Sequence, residues 1–284
     1  MEILATFHDK MPRGEGCSFT RIDIAEKDQV VSMLKDYAPQ AVVHTAGAAN
    51  VDFCQKHPEV GFRNNVDATQ NVVQACGELG IKMVHVSTNA VYKGDDPPYG
   101  EQSPKEPVNV YGQLKKQCDD LVKSSGLTWT IIRPILMYGW SRPWSRKDFV
   151  VWILENLRSG KPVSLVTDIR ENPLSAELCA RAIWKCLEND ITGEYNLAGR
   201  DTVSRCELGA QVAEVFELDA SLVLPVRNTS FKNIAPRPAN TSFDTSKMSN
   251  ILKMEAQPLR EGLERMRYSM PDTMDLLIKG RLAN

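Results

Sequence analysis

Lys82-Met83-Val84-His85-Val86-Ser87-Thr88, followed after a loop rich in glycine, proline and aspartate by Val110-Tyr111-Gly112-Gln113-Leu114-Lys115, is the stretch that decides the fold. Its first part is a short apolar run, the pattern of a buried β-strand, and it closes on two hydroxyls. Its second part has helical spacing over Val110–Ser124, so Tyr111 and Lys115 lie one turn apart and point toward the same spot. A lysine ammonium beside a phenol favours the phenolate. A tyrosine whose resting pKa is roughly 10 then becomes a usable proton donor or acceptor near neutrality. Thr88 adds a hydroxyl able to hold a substrate carbonyl or alcohol. The set is equipment for proton transfer at a carbon-bound oxygen. A Tyr–Lys pair at this spacing is common in helices; the order of strand, hydroxyls, loop and helix is what gives it weight.

The same alternation extends outward. Ile3–Phe7 reads as a strand, followed by a Gly/Pro loop through Gly16. Asp28–Tyr37 has helical spacing, with Val30, Val31 and Leu34 on one side. Ala41–His44 is a buried strand ending at Thr45-Ala46-Gly47-Ala48, and Ala68–Leu79 is a helix stopped by Gly80. Thr128–Ile132 is a strand ending at Arg133-Pro134. Strands alternating with helices predict an α/β fold: a doubly wound, Rossmann-type parallel sheet with helices on its faces.

From about Tyr138 the texture changes. Gly139-Trp140-Ser141-Arg142-Pro143-Trp144-Ser145-Arg146 is an aromatic and basic loop. It reads either as a surface loop with its tryptophans partly tucked away or as a lid that stacks on a ring and pairs with phosphate. Helices are expected at about Phe149–Arg158, Ala176–Glu188 and Cys206–Phe216. Ala235-Pro236-Arg237-Pro238 fixes one arginine between two prolines. That suits bidentate phosphate binding and equally suits a structural turn.

Bulk composition narrows the classes. The chain has 284 residues, 42% hydrophobic and 25% charged, which is ordinary for a soluble globular protein. A net charge of −2 without a basic block gives no reason to expect a nucleic-acid or anionic-membrane surface. No apolar run approaches the ~20 residues of a membrane span, and the opening residues reach His8-Asp9-Lys10 too soon for a signal peptide. The seven cysteines are odd in number and form no Cys-x-x-Cys pair, so a reduced cytoplasmic chain without disulfides or a metal site is expected. The four histidines are isolated and read as structural.

The order of motifs resembles the extended short-chain dehydrogenase/reductases, specifically the dTDP-4-dehydrorhamnose reductase (RmlD-like) family. The resemblance runs from Arg21-Ile22-Asp23-Ile24 through Val43-His44-Thr45-Ala46-Gly47, Val51-Asp52-Phe53-Cys54 and Asn65-Val66. It continues through Val86–Gly94, Tyr99-Gly100-Glu101 and Pro107–Lys115 to Ile132-Arg133-Pro134, Tyr138-Gly139 and Pro236-Arg237-Pro238. It implies reduction of a 4-keto nucleotide sugar by NADP(H) or NAD(H) in nucleotide-sugar metabolism, as in dTDP-rhamnose biosynthesis. On it, Tyr111 is the proton donor, Lys115 lowers its pKa and grips the nicotinamide ribose, and Thr88 orients the keto oxygen. Asp23 and Ile24 resemble the pair flanking adenine, Ala46, Gly47 and Ala48 the loop along the cofactor, and Pro134 with Ile135 the stretch beside the nicotinamide. Asn89, Trp144 and Arg237 fall on the substrate side, Arg237 toward the nucleotide diphosphate. Residues 1–139 would form an incomplete NAD(P)-binding Rossmann domain, and 140–284 a smaller α/β substrate-binding part, partly interleaved with it. A homodimer or a hetero-complex is compatible with the family.

Departures qualify the expectation. The family usually has Asp where this chain has Asn89, an aromatic residue at Ala90, and an acid at Gln55. No Gly-x-x-Gly-x-x-Gly turn is present to cradle a pyrophosphate at a helix N-terminus, and Gly14-Glu15-Gly16, preceded by Pro12-Arg13, is no substitute. Ile3–His8 resembles the family's second strand, so about the first two dozen residues of the family pattern are expected to be missing and NADPH to bind poorly. A shortened reading frame is expected over an adapted fold, since two strands would otherwise stand unpaired at mid-sheet. His8, Lys10 and Arg13 lean toward NADP. Two other readings stay open: a non-catalytic subunit resembling the regulatory beta subunit of methionine adenosyltransferase, and a nucleotide-sugar epimerase or dehydratase.

Overall fold

The computed structural model describes residues 2–12, 16–141, 147–231 and 235–271. In chain order the first elements are β1 (Leu4–Phe7), β2 (Ser18–Arg21), α1 (Lys27–Tyr37), β3 (Ala41–His44), α2 (Val51–Lys56), α3 (Pro58–Phe62), α4 (Ala68–Leu79), β4 (Lys82–Val86), α5 (Val110–Lys123) and β5 (Trp129–Pro134). Then come β6 (Met137–Tyr138), α6 (Phe149–Arg158), β7 (Val163–Val166), β8 (Arg170–Glu171), β9 (Leu174–Ser175), α7 (Ala176–Glu188) and β10 (Gly193–Leu197). The last are β11 (Val203–Ser204), α8 (Arg205–Val215), β12 (Val223–Val226), α9 (Ser246–Leu252) and α10 (Leu259–Tyr268).

The central sheet is four parallel strands in the order β10-β5-β4-β3. Alternation of side chains sorts its strands between two helical layers. Met83 and Ile131 face a core with α1 and α4, contributing Val30, Leu34, Val72 and Cys76. Val84 and Ile132 face the opposite core, with Cys179 and Ala182 of α7 and Met248 of α9. Helices on both faces make this the doubly wound sheet that the sequence pattern predicts. A separate core surrounds α6, α8 and α10, with the short pair β7–β12 against α8.

β1 and β2 form a parallel pair of their own. Among the described residues no strand pairs with the outer edge of β3, where Val43 is 37% exposed. The chain also returns late to the central sheet, since β10 is its outer strand on the β5 side.

Candidate active site

The site grows at the carboxyl ends of β3, β4 and β5, where ligands of parallel α/β sheets bind. Ser87 and Thr88 leave β4 in extended conformation, and the Thr88 side chain caps the short turn Asn89–Val91 by accepting the Ala90 amide at 3.2 Å. α5 starts just where it must: the Asn109 side chain accepts the Gly112 amide at 2.9 Å and Gln55 accepts the Val110 amide at 3.2 Å. Gln55, the departure from the expected acid, thus has a capping task. An asparagine cap of this kind contributes about 1 kcal/mol to its helix.

Gly112 is dictated by contact. A Cβ there would stand 2.2 Å from the Ala90 carbonyl oxygen and 2.7 Å from Pro107. The helix therefore presses on the turn after β4 more closely than any larger residue allows. This approach sets Tyr111 beside Thr88. Thr88, Tyr111 and Lys115 are all buried.

Burial pushes the Tyr111 phenol up to about 12. Lys115 is turned toward β4. The Lys115 ammonium donates to the Val86 carbonyl at 2.9 Å and lies 3.4 Å from His85 Nε2. Burial also drives it toward its neutral form, lowering its pKa.

Behind Lys115 lies a buried polar system that sequence reading did not find. His44 and His85, read as isolated, stand with ring centroids 5.4 Å apart, and His44 Nε2 meets Thr69 Oγ1 at 3.0 Å. Burial, with Lys115 adding to it, holds His44 down to about 3, and the same causes keep His85 well below its ordinary value. His85 Nε2 lies 3.7 Å from Asp119, which pairs with Arg133 at 2.7 Å, and Arg133 reaches Glu194 of β10 at 2.5 Å. A His85 at the end of an apolar strand, a turn's reach from Lys115, was the available signal.

The cofactor-side expectations fall at the same edge. Gly47 has φ +151° and a Cβ there would stand 2.6 Å from Asn65 Oδ1. Asn65 is buried and donates to the Gly61 carbonyl at 2.8 Å, from a π-helical stretch, Arg63–Asp67, inserted before α4. Such π-turns recur at functional sites. Pro134 and Ile135 end β5, with the Ile135 amide on the Leu197 carbonyl at 3.2 Å. Asp23 follows β2 and is tied to Arg63 at 2.9 Å, which holds its carboxyl below the usual range. The Ile24 carbonyl accepts from Asn71 at 3.1 Å.

The substrate-side expectations divide. Asn89 is linked directly to Thr88, its Oδ1 lying 3.2 Å from the Thr88 hydroxyl. Arg237 sits at the start of α5, because Asn109 donates to the Pro236 carbonyl at 2.9 Å, but its guanidinium is held by Asp52 at 2.8 Å. Trp144, like Arg142 and Arg146, lies outside the described residues. At the start of that loop Trp140 is structural, donating to the Met266 carbonyl at 2.7 Å with its ring edge-on to Phe216. A groove of about 590 Å³ lined by residues such as Tyr138, Arg181, Gln257 and Arg265 includes none of Thr88, Tyr111 or Lys115. Its size does not locate the chemistry.

The architecture matches a dTDP-4-dehydrorhamnose reductase of Bacillus anthracis, solved in complex with NADP, with a TM-score of 0.84 over 95% of this chain and 99% of that one, at 22% identity. The fold is thus that of the Rossmann-type short-chain dehydrogenase/reductases. The chain belongs to the RmlD substrate binding domain family, whose pattern matches residues 1–270. Two relatives are similar to it over most of its length. A probable low-salt glycan biosynthesis reductase, Agl14 of Haloferax volcanii, is 25% identical over 277 residues, covering 95% of this chain and 90% of the relative. The methionine adenosyltransferase 2 subunit beta of Bos taurus is 23% identical over 261 residues, covering 88% and 78%. Family and fold are those the sequence resemblance implied.

Proposed function

We propose that this chain is a nicotinamide-dependent reductase of a 4-keto nucleotide sugar, with Tyr111 as the proton donor. The observation that carries the reading is the burial of Thr88 and Tyr111 side by side where β4 meets α5, with Lys115 one turn along that helix. Family membership and the likeness to reductases support it.

The chemistry follows from the protonation states. A donor in the reducing direction must hold its proton at rest, and a phenol pushed up to about 12 does so throughout the neutral range. A reduced nicotinamide, when bound, supplies the hydride that adds to the carbonyl carbon. The carbonyl π pair then moves to oxygen, which takes the Tyr111 proton, and Lys115 charge would stabilise the phenolate left behind. Tyr111, Lys115, Pro134 and Ile135 suit the nicotinamide end of the cofactor, and the Gly47 turn after β3 is packed too closely for any side chain. The diphosphate end fits less well, since no Gly-x-x-Gly-x-x-Gly turn joins a strand to a helix.

The test is NADPH consumption with a dTDP-4-keto-6-deoxy sugar, alongside a cofactor titration. Turnover by the wild-type chain and its loss in Tyr111→Phe support the reading; a phenylalanine variant at full rate sinks the catalytic assignment. Cofactor binding is expected to be weak, and a low-micromolar dissociation constant contradicts that.

A second reading is a non-catalytic partner subunit. The likeness to the methionine adenosyltransferase subunit favours it. A stable hetero-complex without reductase activity would select it. A dehydratase is disfavoured by Asn89, which offers no acid where such chemistry wants one.

A further inference from the structure

Asn89 follows Thr88 directly, and the structure shows what its amide faces. Its Nδ2 donates to Glu171 Oε1 at 3.0 Å and to Thr241 Oγ1 at 2.7 Å. Glu171 and Thr241 are both buried. Glu171 comes from β8, far along the chain, and its other oxygen is paired with Arg205 at the start of α8 at 2.8 Å. Arg205 in turn lies over the Phe149 ring at 4.8 Å, so the carboxylate is anchored from behind. The neighbouring Arg170 is committed elsewhere, to Glu207 at 3.1 Å and the Thr202 carbonyl at 2.9 Å.

An ionised carboxylate can only accept hydrogen bonds. The Asn89 amide must therefore turn its nitrogen to Glu171, and both of its hydrogens are used there and at Thr241. Its Oδ1 is left facing Thr88, whose hydroxyl must donate to it across 3.2 Å. The oxygen of Thr88 then presents lone pairs to the Ala90 amide, and no hydroxyl hydrogen is left for Tyr111.

We infer that Glu171 is a positioning residue: acting through Asn89, it fixes the direction of the Thr88 hydroxyl, so that its hydrogen is kept away from Tyr111. The inference deepens the reductase reading and rests on it for its catalytic meaning. An aspartate at position 89 could not coexist with an ionised Glu171, because two carboxylates about 3 Å apart cannot both ionise.

Three variants test this. Glu171→Gln keeps shape but lets the Asn89 amide flip, so Thr88 can donate to Tyr111. The ring Cζ resonance of Tyr111 in tyrosine-labelled protein at neutral pH, assigned by its loss in Tyr111→Phe, should move toward the phenolate position. kcat should fall on the order of tenfold with KM nearly unchanged, as for a small misplacement in a proton-transfer site. Asn89→Asp combined with Glu171→Gln places an acceptor-only group beside Thr88 again, and should restore both resonance and kcat. Asn89→Asp alone forces a shared proton and should melt at lower temperature at pH 8 than at pH 5, a difference Glu171→Gln removes. The inference is overturned if Glu171→Gln leaves the Tyr111 resonance unmoved or if the double variant fails to restore it. Absence of turnover in the wild-type chain, with the resonance behaving as described, would sink the reductase reading and leave the hydroxyl direction standing.

Discussion

The central sheet and the β1–β2 pair use the same kind of strand to opposite effect. In β4 and β5, Met83, Val84, Ile131 and Ile132 are all buried, each between the sheet and a helical layer. In β1 and β2 no residue is buried, although Leu4, Ala5, Phe7 and Phe19 are apolar. The difference is one of neighbours. A parallel strand is stable when both its edges are paired and both its faces covered, and the pair has only itself. β3 stands at the boundary, paired with β4 on one edge and on the other with no described strand. The proton-transfer residues lie on the well-supported side, while the expected adenine-side residues Asp23 and Ile24 follow β2 on the other.

The contrast breaks most directly at Arg133, which ties β5 to α5 through Asp119 and to β10 through Glu194. Replacing it with methionine leaves two carboxylates facing each other and should cost about 3–5 kcal/mol in chemical denaturation. A loss no greater than that of an exposed substitution would show that the sheet does not depend on this tie. Next in size, Ile132→Ala should cost about 2–5 kcal/mol through the cavity it leaves, while Phe7→Ala should cost clearly less. Amide exchange should run in the same order, with β1 and β2 opening well before β4 and β5. Equal protection of the two regions would erase the comparison.

The smallest effect sharpens the boundary itself. His44 on β3 is held down to about 3, whereas in an unfolded chain it titrates near 6.5. Between those values the unfolded state binds a proton that the folded state refuses, so stability rises with pH and is lost as pH falls from 6.5 toward 3. The slope should approach ~1.4 kcal/mol per pH unit for this group, and His85 acts in the same direction. His44→Gln should flatten the acid side of a melting-temperature profile. An unchanged profile would mean that β3 lets water reach its histidine.

Much of this was readable from local pattern. Ala68–Leu79, Lys82–Val86, Phe149–Arg158 and Ala176–Glu188 fall where periodicity puts them, because each is one amphipathic or apolar run with its own stop. The placing of Tyr111 beside Thr88 was legible for the same reason: strand end, loop and helix are consecutive. What local pattern could not carry were pairings across long separations. Nothing near Glu171 announces Asn89, and nothing near Gly193–Leu197 announces β5. The orientation of Lys115 also escaped it, since that depends on where the Val86 carbonyl and His85 stand in three dimensions. The spacing did place Tyr and Lys on one face, but not the direction in which the ammonium turns.

The close seat of Gly112 against the Ala90 carbonyl has a further consequence. Tyr111 travels with a helix and Thr88 with a strand, and this one contact works as a gauge between them. Any substitution that thickens residue 112, even by a methyl, would lift the whole helix and open the gap between the two hydroxyls without touching either. The tolerance of the chemistry is therefore set by backbone meeting backbone. Redesign of this site for another substrate could change its walls freely, but would have to leave that spacing alone.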